Sequence, residues 1–129
     1  MGYGVVRPEE LEWITRPADP GDAERHVSGV TDRADLRQSR ANFWRYEPGS
    51  KGRRHLDPIQ EETFVVIRGT LTMYLGDPPE RQEVGQGGLI HVKPGTALQV
   101  SNESGEELLL YVYGAPPERA EAEYLESAV

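Results

Sequence analysis

Between residues 41 and 113 short apolar runs alternate with breaks rich in Gly, Pro and Asp, and this rhythm limits the chain more than any other feature. The runs cover 41–46, 53–57, 63–67, 70–75, 81–84, 89–92, 97–102 and 107–113. Each is too short to hold a helix by itself, and each is closed by residues that favour turns. Strand-length runs at this spacing predict an all-β sandwich or barrel, and eight of them suit a jelly roll. Around Gly69 there is room for a tight turn only, whereas 76–79 allows a longer one.

The segment from Gly49 to Gly69, GSKGRRHLDPIQEETFVVIRG, carries the residues able to do chemistry. His55 and Asp57 are two apart, so on a strand they project from the same face, and Glu62 on a neighbouring strand can meet them. If Glu62 faces inward, Phe64, Val66 and Arg68 share its side. Ahead of the segment, Phe43, Trp44 and Tyr46 must split between two faces, while Tyr111 and Tyr113 share one.

This pattern resembles the cupin superfamily. The first cupin motif runs glycine, five residues, His-x-His, three or four residues, glutamate, six residues, glycine. Gly49, His55, Glu62 and Gly69 keep that spacing, with Asp57 in place of the second histidine. The second motif is matched by Gly87, Pro94, Gly95 and Asn102, but Leu98 stands where its histidine would be. The resemblance implies a double-stranded β-helix, or jelly-roll barrel, and a homodimer.

In metal-dependent cupins these motifs hold an ion through three histidines and a glutamate. By resemblance His55 and Glu62 are retained ligands, Asp57 is an oxygen substitute and Leu98 is a lost ligand. His91, on the strand leading into the turn before Leu98, is a candidate replacement. The ion would be divalent manganese, iron, zinc or nickel, with two carboxylates favouring the harder members. Against this stand plainer roles. Gly49, Gly69, Gly87 and Gly95 fit turns needing positive φ, and Asn102 fits a strand end where it bonds backbone.

Composition narrows the partners. With 22 acidic and 14 basic residues the net charge is -8, which disfavours nucleic acid and anionic membranes. Lys51, Arg53 and Arg54, beside His55, form a local exception that reads first as a solvated loop rich in charge and second as a means of drawing an anion toward a barrel mouth. Cysteine is absent, which removes disulfides and thiolate chemistry, and no stretch has the length to span a membrane. A soluble, cytoplasmic protein is expected.

A chain of 129 residues suits one compact core. Residues 1–38 read as an N-terminal arm packing on the barrel or on a partner subunit. It holds a helical start at Pro8, a strand over 26–30 and a turn over 32–36. The barrel takes 39–115, and 116–129 is a tail or a short helix. The leading functional expectation is a single-domain barrel with a small-molecule pocket, metal-free or weakly metal-binding, in which His55 and Glu62 do acid–base work. One alternative is a metal-dependent enzyme of cyclase, isomerase or dioxygenase type on a small aromatic or polyketide-like substrate. The other is a noncatalytic dimeric sensor or accessory protein, to be recognised by a solid core.

Overall fold

The computed structural model describes residues 2–118 and 122–129. A 3-10 helix at Pro8–Glu10 precedes eleven strands: β1 (Ile14–Arg16), β2 (Arg25–Gly29), β3 (Arg40–Tyr46), β4 (His55–Leu56), β5 (Glu61–Arg68), β6 (Leu71–Leu75), β7 (Glu80–Val84), β8 (Leu89–Val92), β9 (Leu98–Ser101), β10 (Leu108–Ala115) and β11 (Glu123–Tyr124). They form two antiparallel sheets, one in the order β1-β2-β3-β10-β5-β8 and the other β11-β4-β9-β6-β7. This is the jelly-roll barrel expected from the apolar rhythm. Among the described residues, no helix is long and apolar enough to cross a membrane.

The alternation along each strand sorts residues between inside and outside. Leu110 of β10 pairs Trp44 on one side and Val66 on the other, and Val112 pairs Asn42 and Phe64. Leu110, Val66, Val112 and Phe64 meet Leu71, Met73 and Val100 of the second sheet in one apolar cluster, with Trp44 packed against it. Leu71, Met73, Leu108 and Leu110 are fully buried, and each contributes roughly 1.5–3 kcal/mol by leaving water. At the far edge, β7 presents Glu80, Arg81, Gln82 and Glu83 to solvent, and charge on an edge strand discourages pairing with another chain.

The first 38 residues are drawn into the barrel more closely than an arm would be. β1 and β2 extend the six-stranded sheet, and Trp13 lies under the Arg45 guanidinium at 5.0 Å. Among the described residues of the C-terminal segment there is no helix. Glu123 and Tyr124 form a strand against Leu56 and His55, and 119–121 lie outside the described residues. Two short strands, β1 and β11, escaped the sequence pattern because neither carries an apolar alternation of its own.

Asn102 ends β9 as anticipated. Buried, it donates to the carbonyls of Tyr46 (2.8 Å) and Glu106 (2.7 Å) and accepts from Ser104. The expected side of Arg68 is corrected. Between Leu110↔Val66 and Leu109↔Arg68 the register shifts by one residue, a β-bulge that turns Arg68 outward to Glu107 at 3.1 Å.

Gly69 closes the β5–β6 turn at φ +90, and a Cβ there would stand 2.6 Å from the Glu107 carbonyl oxygen. Left-handed backbone and a backbone clash act together at this position. Gly69→Ala is expected to lower stability by about 2 kcal/mol or more, read as a fall in the midpoint of thermal or urea unfolding.

Candidate functional site

A cavity of about 660 Å³ opens between the two sheets. That is the size of sites that enclose small organic molecules. Its wall combines Trp44, Tyr46, Phe64, Leu98, Val100, Leu110 and Val112 with His55, Asp57, Gln60 and Glu62. The polar group sits where β10 is narrowest. Gly114 pairs with Arg40 on one side and Glu62 on the other, and a Cβ on it would lie 2.6 Å from the Gln60 side chain. A side chain at 114 would close the space that the polar residues share.

His55 lies on β4, directly across from Leu98 of β9. Its Nδ1 is 2.9 Å from the Arg53 carbonyl oxygen, which can only accept, so Nδ1 carries a proton and Nε2 is turned toward Glu62. Nε2 is 3.9 Å from Glu62 Oε1, an ion-pair separation rather than a direct hydrogen bond. Burial works to lower the His55 pKa. The Glu62 carboxylate, the Arg53 carbonyl and the charge of Asp57 outweigh it and leave the imidazole more basic than usual. The two groups come from opposite sheets, β4 and β5, and only the closed barrel brings them together.

Asp57 lines the same cavity but has structural work there. Its Oδ1 accepts the backbone N–H groups of Ile59 (2.9 Å) and Gln60 (2.8 Å), which folds the turn after Pro58. Leu98 is buried at 2% exposure as part of the apolar cluster. His91 is not brought to the group. Glu62 points in, so Glu61 and Thr63 point out, and His91, the partner of Thr63, follows them. Its Nδ1 shares a 2.8 Å hydrogen bond with the Thr63 hydroxyl, and its Nε2 lies 3.4 Å from Glu61.

The aromatics divide as alternation requires. Trp44 and Tyr46 face the cavity with rings 5.7 Å apart, while Phe43 faces out and packs on Tyr111 at 5.2 Å. Strands β1–β3 and the loop before β4 also supply Arg16, Arg25, Arg40 and Arg53 to the cavity wall. Three of these arise from the segment read as an arm or at its junction, where no motif marks a strand's inward face. The Lys51 and Arg54 of the basic cluster turn elsewhere. Lys51 donates to the Val129 carbonyl (2.7 Å), and Arg54 donates to those of Glu126 and Gly76 (both 3.2 Å), fastening the C-terminal segment. Tyr124 of that segment also lines the cavity and carries the Arg53 guanidinium over its ring at 3.7 Å.

Comparison with known proteins agrees with this fold. A family model described as the cupin domain matches residues 42–113. The chain belongs to the cupin family. A search of curated proteins finds no match. Among solved structures, a sugar phosphate isomerase of the cupin superfamily from Silicibacter pomeroyi superposes with TM-score 0.78 and 22% identity, covering 95% of this chain and 82% of the other. The polyketide cyclase RemF from Streptomyces resistomycificus gives 0.77 at 18%, covering 95% and 85%. A predicted oxalate decarboxylase from Thermotoga maritima gives 0.75 at 15%, covering 87% and 98%. At these identities the likeness is one of fold.

The donor set of this cupin does not fit the family's usual ion. One imidazole and one carboxylate face each other, Asp57 spends an oxygen on two amide N–H groups, and the side chain opposite His55 is a leucine. A trio with ligand atoms within 4.8 Å of one another exists elsewhere, at Glu24, His26 and Glu47. There His26 already bonds Thr15 (2.9 Å) and Glu47 (2.7 Å), clamping β1 to the end of β3.

Two outcomes follow. The His55 ring protons should titrate above the reference value of about 6.5 in nuclear magnetic resonance, and Glu62→Gln should bring the midpoint down. Because the folded value is raised, the stability this pair adds is full below the unfolded value and fades as pH rises through the folded one. Second, protein loaded with manganese, iron, zinc or nickel and then desalted should keep far less than one equivalent by plasma mass spectrometry. Leu98→His should raise the retained metal. Near-stoichiometric ion in the parent chain would sink the misfit.

Proposed function

We propose that this cupin binds a small organic molecule inside its barrel and moves a proton on it with His55 and Glu62, without a metal ion. The observation that carries the reading is the facing of these two groups, 3.9 Å apart on the wall of a 660 Å³ cavity, with Leu98 opposite His55. The open cavity favours it over a sensor with a solid core. The presence of a sugar phosphate isomerase and a polyketide cyclase among the structural relatives is in keeping with proton-transfer chemistry.

Each group has a separate task. Glu62 as carboxylate accepts a proton from a carbon next to a carbonyl, while His55 as imidazolium gives its Nε2 proton to the carbonyl oxygen. Where that carbon bears a hydroxyl the product is an enediol. Glu62 then returns its proton to the former carbonyl carbon while the neutral His55 Nε2 takes the proton of the second hydroxyl, which becomes the new carbonyl. The isomerisation leaves both groups as they began and involves no external oxidant or reductant. The Nδ1–H bond to the Arg53 carbonyl keeps Nε2 directed at the pair throughout. Raised basicity at His55 keeps the imidazolium populated nearer neutral pH, which suits an acid of this kind.

The test is solvent deuterium exchange. Chelator-treated protein would be incubated in heavy water with α-hydroxy ketones, aldose phosphates and β-keto acids, with proton resonance reading loss of the carbon-bound proton. Exchange on one class is expected, falling by about 100-fold or more in His55→Ala and in Glu62→Gln. Exchange that needs added metal, or that survives both substitutions, would overturn the reading.

A further inference from the structure

The proposed reading leaves the ligand's class open, and the cationic wall of the same cavity narrows it. Arginines elsewhere on the protein are neutralised by carboxylates: Arg45 and Arg68 by Glu107, and Arg81 by Glu103, each at 3.1 Å. Arg16, Arg25 and Arg53 line the cavity and, among the described residues, reach no carboxylate. In a chain of net charge -8, three guanidiniums without a carboxylate partner around one space make a local positive field that draws an anion.

Two of the three are held in place by rings. Arg25 lies over Trp44 at 5.1 Å with its charge beside the Tyr46 hydroxyl, and Arg53 lies over Tyr124 at 3.7 Å. A guanidinium stacked on an aromatic face keeps its N–H edge free for a planar oxyanion, which it grips with two parallel bonds. The rest of the wall, Phe64, Leu98 and Val112 among it, is apolar and suits a flat hydrocarbon body.

We infer that the ligand of this pocket is an organic oxyanion, a carboxylate or phosphate on a flat apolar body, seated by Arg25 and Arg53 with Arg16 adding field. The inference rests on the reading of the barrel as a small-molecule site. The acidic group anchors near the mouth on the aromatic-backed arginines, and the body extends toward His55 and Glu62. The C-terminal segment is then part of the site, because Tyr124 on β11 carries Arg53 and pairs in register with His55.

The experiment uses three probes of one shape: 2-naphthoate, 2-naphthyl phosphate and the neutral 2-naphthamide. Affinity is measured by calorimetry and location by the two indole N–H resonances. Trp44 lines the cavity and reports it, while Trp13, under Arg45, serves as control. One or both acids should bind roughly tenfold tighter than the amide and shift Trp44 alone. The acid that binds tighter decides between carboxylate and phosphate.

In Arg25→Gln/Arg53→Gln the acids should fall to the affinity of the amide, with the Trp13 resonance unmoved. Should the double variant fail to fold, Arg53→Gln alone carries the test, since that residue is exposed. An amide as tight as both acids would overturn the oxyanion and leave the pocket standing. No Trp44 shift with any probe would overturn both. Acids that bind through the arginines while deuterium exchange ignores His55 and Glu62 would remove the proton-transfer reading and keep this one.

Discussion

Strand β10 is bonded on both edges, to β3 and to β5, and its alternation decides which side chains of three strands enter the barrel. Leu108, Leu110 and Val112 carry the core along one face, and Gly114 carries the same face into the polar end. A slip of one residue at this strand would send Trp44, Glu62 and Phe64 to solvent together. The β-bulge at Ile67 absorbs such a slip after the site has been built, which is why Glu62, Phe64 and Val66 face in and Arg68 does not.

The cavity reads as one gradient. At one end the two sheets meet over Leu71, Met73 and Leu108, which exclude water; at the other, paired polar groups replace them. Burial on its own would make the His55 imidazole harder to protonate. Glu62 across the gap and Asp57 beside it help reverse that, so the meeting of two sheets, and not the motif alone, makes the histidine more basic than usual. Leu98 joins the apolar end to the polar one, occupying the place of a ligand while packing as core.

Much of the barrel was legible because its signals are local. Gly49, Gly69, Gly87 and Gly95 all take positive φ, as turn glycines should, and the strands from β3 to β10 fall on the apolar runs within a residue or two at most ends. The aromatic pair Tyr111 and Tyr113 shares a face as alternation demands, and that face is the outer one. His91 was not legible, since the phase of a four-residue strand follows from its pairing with β5 and not from its own composition. Nor was the task of Asp57, whose spacing matches a ligand while its oxygen is drawn to the amides beyond Pro58.

The sequence by itself determined the family, the turns and the presence of His55 and Glu62 at matching intervals, because motif spacing and glycine conformation are properties of neighbouring residues. The tertiary structure alone decided which side chains share the cavity. Arg16 and Arg25 come from the first strands, Arg53 from a loop and Tyr124 from the last strand, and they share a wall only because β1–β3 and β11 flank the same opening. Separations of this length along the chain leave no local trace, since side chains so distant meet through sheet closure and not through any spacing in sequence.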